Sequence, residues 1–216
     1  MSSGLEVVTL PNGQFVENCY LVADTAARRA VIVDPGEEPA MFLRELDTRG
    51  WSLDAIWLTH GHIDHVLGVA AIHRAHPVPI HLHPLDRPLY DGVQRQAEWM
   101  GLRAEPLPPP TDLLAHGGEV RVGRFAFEVR HMPGHSPGSV GFVGEDLLLG
   151  GDVLFAGSIG RTDLPGGDLD TLLASIRAQV LSLPDSTRVL SGHGTPTTVG
   201  VERLTNPYLA AFADRD

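Results

Sequence analysis

The chain has 216 residues, a hydrophobic fraction of 43% and a formal net charge of −11, so it can bury the core of one domain. The negative charge makes nucleic acid and anionic membrane surfaces poor partners. No apolar run is long enough to cross a bilayer, and residues 1–10 lack the pattern of a signal peptide. We therefore expect a cytoplasmic protein that acts on a small molecule, and its oligomeric state stays open.

Two residue counts narrow the chemistry. Cys19 is the only cysteine, which excludes an internal disulfide and a multi-cysteine zinc site. Its apolar neighbours predict a buried, inert thiol. All 16 basic residues are arginine, so a Schiff-base lysine and a Walker A lysine are both excluded. An anionic substrate group must therefore be met by arginine, backbone amides, hydroxyls or metal.

Hydrophobic periodicity predicts strands followed by helices in each half of the chain. The predicted strands are 5–10, 18–23, 30–34, 53–58, 79–82, a hairpin over 119–131, 140–143, 146–149 and 188–191. The predicted helices are 40–49, 66–73, 168–183 and 201–212, the last interrupted near Pro207. This order predicts two sheets packed face to face with helices outside them.

The segment from His83 to Pro110 departs from this alternation. It contains Trp99, Met100 and several prolines, with helical patterning in its middle. It either borders a pocket or is a surface insertion without a role, and the sequence leaves both interpretations open.

Four residues of the metal-ligand type lie within six positions, directly after a predicted buried strand and before a helix. They are His60, His62, Asp64 and His65. Imidazole and carboxylate groups suit zinc, iron and manganese. His60 and His62 are two positions apart, so the helical HExxH zinc motif is excluded. In layered α/β proteins, ligands collect where strands end and helices begin.

Three later glycine-rich turns each carry one further ligand-type residue. They are His135 in Gly-His-Ser-Pro-Gly-Ser at 134–139, Asp152 after two glycines, and His193 in Gly-His-Gly. Glycine lets the backbone turn sharply and directs a short side chain into a cleft. Each turn alone is a weak signal, but together with the first cluster they supply seven candidate ligands.

In order and spacing, these seven residues resemble the ligand set of the metallo-β-lactamase superfamily, and the likeness covers nearly the whole chain. The turn at 134–139 and Gly-Arg-Thr-Asp-Leu-Pro-Gly-Gly at 160–167 resemble the small branch related to hydroxyacylglutathione hydrolase (glyoxalase II). The resemblance implies a single domain over 1–216 of the α+β class. It would be an αββα sandwich, in which two mixed β-sheets pack face to face with helices on both outer sides.

The resemblance also implies two metal sites. His60, His62 and His135 would hold the first ion; Asp64, His65 and His193 would hold the second; Asp152 would bridge them. A hydroxide shared by two divalent ions would attack the carbonyl carbon of a small thioester, with Asp64 and Asp152 as catalytic carboxylates. Zinc is the expected metal, and iron or manganese also fits these ligands.

Three further residues are candidates for supporting roles. Asp34 and Thr59 either orient metal ligands or are ordinary strand-end turn residues. Arg161 either binds a substrate carboxylate or pairs with Asp163 or Asp168 and fixes its own loop. The remaining histidines are expected to be surface or packing residues: His73, His76, His81, His83, His116 and His131.

A second enzyme class stays open. Persulfide dioxygenases share the fold, a similar Gly-Arg-Thr-Asp stretch and the histidine cluster; by this resemblance His60, His135 and Asp152 would hold one iron. A serine hydrolase is disfavoured, because Pro137, Gly138 and a strand follow Ser136 where a nucleophile elbow needs a helix. The acyl group and the thiol carrier, including glutathione, stay open.

Overall fold

Two six-stranded β-sheets organise the computed structural model, which describes residues 4–210. The strands of the first sheet are β1 (Leu5–Asn12), β2 (Glu17–Asp24), β3 (Arg29–Val33), β4 (Ser52–Trp57), β5 (Ile80–Leu82) and β6 (Asp112–Leu113). They pair in chain order, antiparallel from β1 to β3 and parallel from β3 to β6. The first sheet is therefore mixed.

The second sheet is mixed as well. The remaining strands are β7 (Glu119–Val122), β8 (Phe125–His131), β9 (Val140–Gly144), β10 (Leu147–Gly151), β11 (Leu154–Phe155), β12 (Ser158–Ile159), β13 (Arg188–Ser191) and β14 (Thr197–Thr198). Six of them pair in the order β14-β13-β10-β9-β8-β7, with β10 and β13 parallel, whereas β11 and β12 form a separate ribbon. The predicted hairpin turns at Gly123, as expected.

Helices cover both outer sides of this sandwich, so the predicted αββα arrangement is confirmed. The helices are α1 (Pro39–Arg49), α2 (Ile63–Val66), α3 (Val69–Ala75), α4 (Arg87–Asp91), α5 (Val93–Trp99), α6 (Leu169–Ser175) and α7 (Val199–Thr205). A 3₁₀ turn at Pro84–Asp86 precedes α4, and α6 continues as a π-helical turn over Ile176–Val180.

The predicted helices at 66–73 and 201–212 differ most from the structure, and the one at 168–183 ends earlier, at Val180. The helix predicted at 66–73 is split into α2 and α3 at Gly68, whose N–H donates to the Pro35 carbonyl at 2.9 Å. A side chain at Gly68 would lie 2.6 Å from the Gly36 carbonyl oxygen, so the backbone packs closely there. The closing helix ends at Thr205, before Pro207, and residues 211–212 lie outside the described range.

The core has three apolar layers, one between the sheets and one under each set of helices. Between the sheets, the Trp57 ring lies 5.5 Å from the Phe127 ring and 5.1 Å from the Phe142 ring, measured between centroids. Such aromatic pairs contribute about 0.5–1.5 kcal/mol each beyond their buried area. Cys19 is fully buried on β2, as predicted. Within residues 4–210, no helix is long and apolar enough to cross a membrane.

The two sheets place several strand ends at one edge of the sandwich. β3, β4, β8, β10 and β13 all end there, and loops carrying the predicted site residues follow them. Backbone bonds tie these loops together across the sheets: Val140 N–H donates to the Thr59 carbonyl at 2.8 Å, and Asn18 N–H donates to the Gly192 carbonyl at 2.7 Å. The site is therefore built on loops that regular structure holds in place.

Candidate active site

The first metal-ligand cluster consists of His60, His62 and His135, which come from the loops after β4 and β8. His62 Nδ1 lies 2.8 Å from His135 Nε2, and His135 Nε2 lies 3.2 Å from His60 Nε2. All three side chains are buried. Three imidazole nitrogens thus lie close together, in the grouping that the resemblance implies.

The second cluster consists of Asp64, His65 and His193. Asp64 Oδ2 lies 3.2 Å from His193 Nε2 and 3.7 Å from His65 Nε2. Asp64 and His65 belong to α2, whereas His193 follows β13. The fold therefore brings His193 next to His65, which lies 128 positions earlier in the chain.

Asp152 lies between the two clusters. Its Oδ2 atom is 3.6 Å from His135 Nε2 and 3.6 Å from His193 Nε2, and its Oδ1 atom is 3.4 Å from His65 Nε2. One carboxylate therefore faces members of both clusters. All seven residues of the predicted ligand set meet at this edge of the sandwich.

Asp34 and Thr59 contact the Nδ1 atoms of His60 and His65, on the side of each ring away from the clusters. The Asp34 carboxylate accepts hydrogen bonds from the Thr59 N–H at 2.8 Å, the Thr59 hydroxyl at 2.6 Å and His65 Nδ1 at 3.1 Å. Because the Thr59 hydroxyl donates to Asp34, its oxygen accepts from His60 Nδ1 at 3.0 Å. These bonds leave the Nε2 lone pairs of His60 and His65 facing the clusters.

Backbone carbonyls orient two more rings in the same way. His135 Nδ1 donates to the Arg161 carbonyl at 2.8 Å, and His193 Nδ1 donates to the Phe15 carbonyl at 3.1 Å. Because the N–H of each neutral ring is on Nδ1, the lone pair on Nε2 can accept a bond. Four rings are therefore held in the tautomer that a metal ligand requires.

The electrostatics of the site separate neutral from charged groups. Burial, together with the neighbouring His135, lowers the pKa of His62 to about 3, and burial also holds the pKa of His60 well below its ordinary value. Burial opposes the charge on Asp152 and His65, but their mutual attraction outweighs it, lowering the pKa of Asp152 and raising that of His65. His60 and His62 are therefore neutral, whereas His65 carries a positive charge beside the Asp152 carboxylate, and a bound cation would displace that proton.

These residues fit divalent metal ions. Within the described residues, His65 Nε2 and Asp152 Oδ1 are buried and have no hydrogen-bond partner, which is costly unless another group satisfies them. Imidazole nitrogens with lone pairs turned toward one another also favour a shared cation. Nitrogen and oxygen donors of this kind suit zinc, iron or manganese.

Comparison with known proteins agrees with this geometry. The model of the metallo-beta-lactamase superfamily matches residues 12–193. The chain belongs to the metallo-beta-lactamase superfamily. Within it, the chain is 36% identical over 209 residues to hydroxyacylglutathione hydrolase GloC of Haemophilus influenzae, a match that covers 95% of this chain and 98% of that protein.

Two solved structures of the superfamily are also similar to the chain. TTHA1623 in a di-iron-bound form has a TM-score of 0.87 and 44% identity, over 94% of this chain and 100% of that one. The BLEG-1 B3 metallo-beta-lactamase has a TM-score of 0.89 and 38% identity, over 95% of this chain and 100% of that one. The superfamily fold is therefore shared along almost the whole chain.

Members of both metal-ligand clusters line a cleft. It has a volume of about 390 Å³, and Phe15, Phe155 and Ile159 contribute apolar surface to its wall. A larger depression of about 560 Å³ lies along α6 and its π-helical turn, away from every residue of the two clusters. The cleft, and not the depression along α6, therefore adjoins the metal-ligand residues.

The segment 83–110 borders this cleft and supports the metal loop, a role that the sequence left open. Buried Asp86 accepts hydrogen bonds from the Gly61 N–H at 2.8 Å, the Gly138 N–H at 2.5 Å and the Ser136 hydroxyl at 2.7 Å. Asp86 therefore joins the loop that carries His60 and His62 to the loop that carries His135. Its sequence context, Pro-Leu-Asp-Arg-Pro, resembles an ordinary turn and gives no signal of this contact.

Sequence reasoning also missed Glu17. This carboxyl group is 1% exposed, and its Oε1 atom lies 3.7 Å from His65 Nδ1 and has no hydrogen-bond partner within the described residues. Burial raises the pKa of Glu17 well above its ordinary value, with a smaller opposing effect of His65. A charged residue at the start of a strand gives no sign of such burial.

Arg161 lines the cleft, and its side chain pairs with Asp163 through two bonds, of 2.7 and 2.8 Å. The pair lowers the pKa of Asp163 to about 2. The structure thus contains the contact with Asp163 that the sequence offered as one alternative, and a role toward substrate stays a prediction.

Outside the clusters, His83 and His131 pack against each other. Their rings stack with centroids 4.1 Å apart and planes 12° apart, and His131 Nε2 donates to the Pro137 carbonyl at 2.9 Å. Among the described residues, none of the six other histidines belongs to a metal-ligand group. This agrees with the packing or surface roles expected for them.

Proposed function

We propose that the chain is a binuclear metal-dependent hydrolase that cleaves a small thioester, in the manner of a hydroxyacylglutathione hydrolase. The observation that carries the proposal is the position of Asp152. Its carboxylate faces His135 and His193 at 3.6 Å and His65 at 3.4 Å, so it joins two complete three-residue clusters. The name of the Haemophilus influenzae relative supports a thioester as the substrate class.

Each group of residues has its own role in the proposed reaction. His60, His62 and His135 would hold one divalent ion, Asp64, His65 and His193 would hold the other, and Asp152 would contact both. Two such ions would supply Lewis acidity, activating water near neutral pH and polarising a carbonyl group. The tautomers fixed by Asp34, Thr59 and the two backbone carbonyls keep the ligand nitrogens oriented throughout turnover.

The composition of the cleft favours a good leaving group. Hydrolysis forms a C–O bond, breaks the C–S bond and gives a carboxylate and a thiol. A thiol has a pKa of about 8.5, so it departs as a thiolate without first receiving a proton. Among the described residues that line the cleft, Arg161 is the titratable side chain apart from the ligands. Its guanidinium stays charged, so it is a poor proton donor for a leaving group. Thioesters therefore suit the site better than amides.

Metal content and substrate turnover test the proposal together. Untagged protein purified without added metal should contain about two equivalents of zinc, iron or manganese and should hydrolyse a 2-hydroxyacyl thioester. Asp152→Ala should lose most of that turnover. Turnover close to that of the wild type in Asp152→Ala would contradict the mechanism, and hydrolysis of a β-lactam without thioester hydrolysis would redirect the assignment within the superfamily.

The alternative is a mononuclear-iron persulfide dioxygenase. His60, His135 and Asp152, which would hold the single iron, are close together, with 3.2 Å between the two histidines and 3.6 Å from His135 to Asp152. This function requires about one equivalent of iron and oxygen uptake with a persulfide. Absence of oxygen uptake by iron-loaded protein would exclude it.

A further inference from the structure

An apolar recess opens beside the cleft. We use this term for the space of about 70 Å³ walled by Leu89, Trp99, Met100, Leu164 and Pro165. Its walls come from α4, from α5 and the residue after it, and from the loop that follows Arg161. Most of the lining side chains are apolar, so the recess favours hydrocarbon over a polar group.

The recess and the cleft at the metal-ligand clusters are adjacent. His62, a member of the first cluster, lines both of them, and so do Gln96, Met100 and Leu164. A molecule whose reacting group lies at the clusters can therefore extend an arm into the recess.

Hydrogen bonds hold the wall of the recess to the metal loop. Gln96 of α5 donates from Nε2 to the Gly61 carbonyl at 3.0 Å and to the Leu89 carbonyl at 2.9 Å. Its Oε1 atom accepts from the Ile63 N–H at 3.2 Å. The distance between the recess and the clusters is thereby fixed, as a specificity subsite requires.

Two large apolar side chains stand exposed at this wall. Trp99 is 68% exposed and Met100 is 43% exposed. The Arg95 guanidinium lies 5.9 Å from the centre of the Trp99 ring. An exposed tryptophan next to a catalytic cleft is a strong candidate for ligand contact, because covering it with an apolar group is favourable.

We propose that the apolar recess binds an unbranched hydrocarbon arm of the substrate, so that thioesters with such an arm are preferred. At about 10–15 Å³ per water-sized group, the recess has room for an arm of about five atoms. Six side chains of the lining are apolar and three are polar, so a purely polar arm would lose more hydration there than a hydrocarbon arm. The inference rests on the proposed thioester hydrolysis, and the arm belongs either to the acyl group or to the thiol.

Two thioester series separate these two sources. One series carries acetyl, butanoyl and hexanoyl groups on N-acetylcysteamine, and the other carries an acetyl group on ethanethiol, butanethiol and hexanethiol. Because the recess is open on one side, we expect each added methylene to be about half buried. It should therefore raise kcat/KM about twofold, where full burial would raise it about fourfold. Hexanoyl should therefore exceed acetyl about 16-fold in the acyl series if the acyl group enters the recess. A dependence confined to the thiol series would assign the recess to the thiol.

A substitution in the wall of the apolar recess tests whether the preference for longer chains arises there. Trp99→Ser should reduce the hexanoyl-to-acetyl ratio to about fourfold, mainly through KM, since about half of the contact is lost. Leu113→Ser is the matched control, because Leu113 is 65% exposed on β6 and does not line the recess. Its ratio should equal that of the wild type. Thermal melting of both variants checks that they fold.

Binding without turnover keeps the two proposals separable. N-acetylcysteamine S-hexyl thioether should change the tryptophan fluorescence of the metal-loaded protein more strongly than the S-ethyl thioether, and Trp99→Phe should remove the change. If no thioester is hydrolysed but this signal is present, the proposed reaction fails and the recess assignment stands. Ratios near one in both series, or equal signals from ethyl and hexyl, would overturn the recess assignment.

Discussion

Asp86 offers the sharpest test of how the two metal-ligand loops are held. Replacement by alanine removes the single acceptor shared by Gly61 N–H, Gly138 N–H and the Ser136 hydroxyl, at 2.8, 2.5 and 2.7 Å. Each hydrogen bond to a charged acceptor contributes about 1.5–3 kcal/mol. Burial raises the pKa of Asp86, so the cost of burying its charge offsets part of this gain.

We therefore expect Asp86→Ala to lower the free energy of unfolding by about 3 kcal/mol, with a fall in Tm of about 6–12 °C for a domain of this size. The affinity for metal should fall about 10–100-fold, because the loops carrying His60, His62 and His135 lose their common support. Urea unfolding followed by circular dichroism gives the first quantity, and competition with a chromophoric chelator gives the second.

Asp91→Ala is the matched control. Asp91 lies on α4, five positions further on, and its exposed carboxylate pairs with Arg87 at 2.7 Å. Exposed ion pairs contribute about 0–1 kcal/mol, so this variant should keep both its stability and its metal affinity. Asp86→Asn should fall between the two, since its amide oxygen still accepts. If Asp86→Ala were within 0.5 kcal/mol of the wild type, on the scale of ordinary surface substitutions, the reasoning would be refuted.

Asp34→Asn should weaken metal binding about 10–100-fold in chelator competition, because the amide is a poorer acceptor for His65 Nδ1 and the Thr59 hydroxyl, and an unchanged affinity would argue against this role. Burial and the stacked neighbouring histidine lower the pKa of His83 to about 4, whereas the unfolded chain binds that proton near pH 6.5. Stability should therefore be unaffected above about pH 6.5 and fall between pH 6.5 and 4, and urea unfolding at pH 7 and pH 5 should show a smaller loss in His83→Asn. Gly134→Ala should prevent stable folding, because Gly134 has φ 130° and its added Cβ would collide with the Leu172 backbone, whereas Gly101→Ala, at φ 68° in open space, should cost only about 1 kcal/mol by thermal melting. A soluble Gly134→Ala protein with the melting temperature of Gly101→Ala would contradict that difference.

The candidate ligands could be named from the sequence because they combine one dense cluster with three glycine turns, in an order that resembles the superfamily. His60, His62, Asp64 and His65 form one short run after a buried strand, and the other three follow glycine turns at strand ends. Glycine turns and strand periodicity depend on neighbouring residues, so they can be recognised in the sequence alone. The αββα layering follows from the same periodicity together with the resemblance to the superfamily.

The support of the site was decided only by the tertiary structure. Asp86 meets Gly61 and Gly138 across 25 and 52 positions, and Glu17 at the start of β2 lies next to His65 on α2. Nothing in the residues next to Asp86 or Glu17 distinguishes them from surface carboxylates, because their burial comes from distant loops that pack over them. The split of the helix at Gly68 likewise depends on the backbone at Pro35.

The sequence by itself indicated which residues could bind metal and that they follow strand ends, because ligand chemistry and strand ends are local. The tertiary structure decided how the ring tautomers are fixed, which carboxylate joins the two loops, and that α5 and the loop after Arg161 enclose an apolar recess. These features are contacts between segments far apart in the chain. They exist only after the sheets have packed and the loops have met.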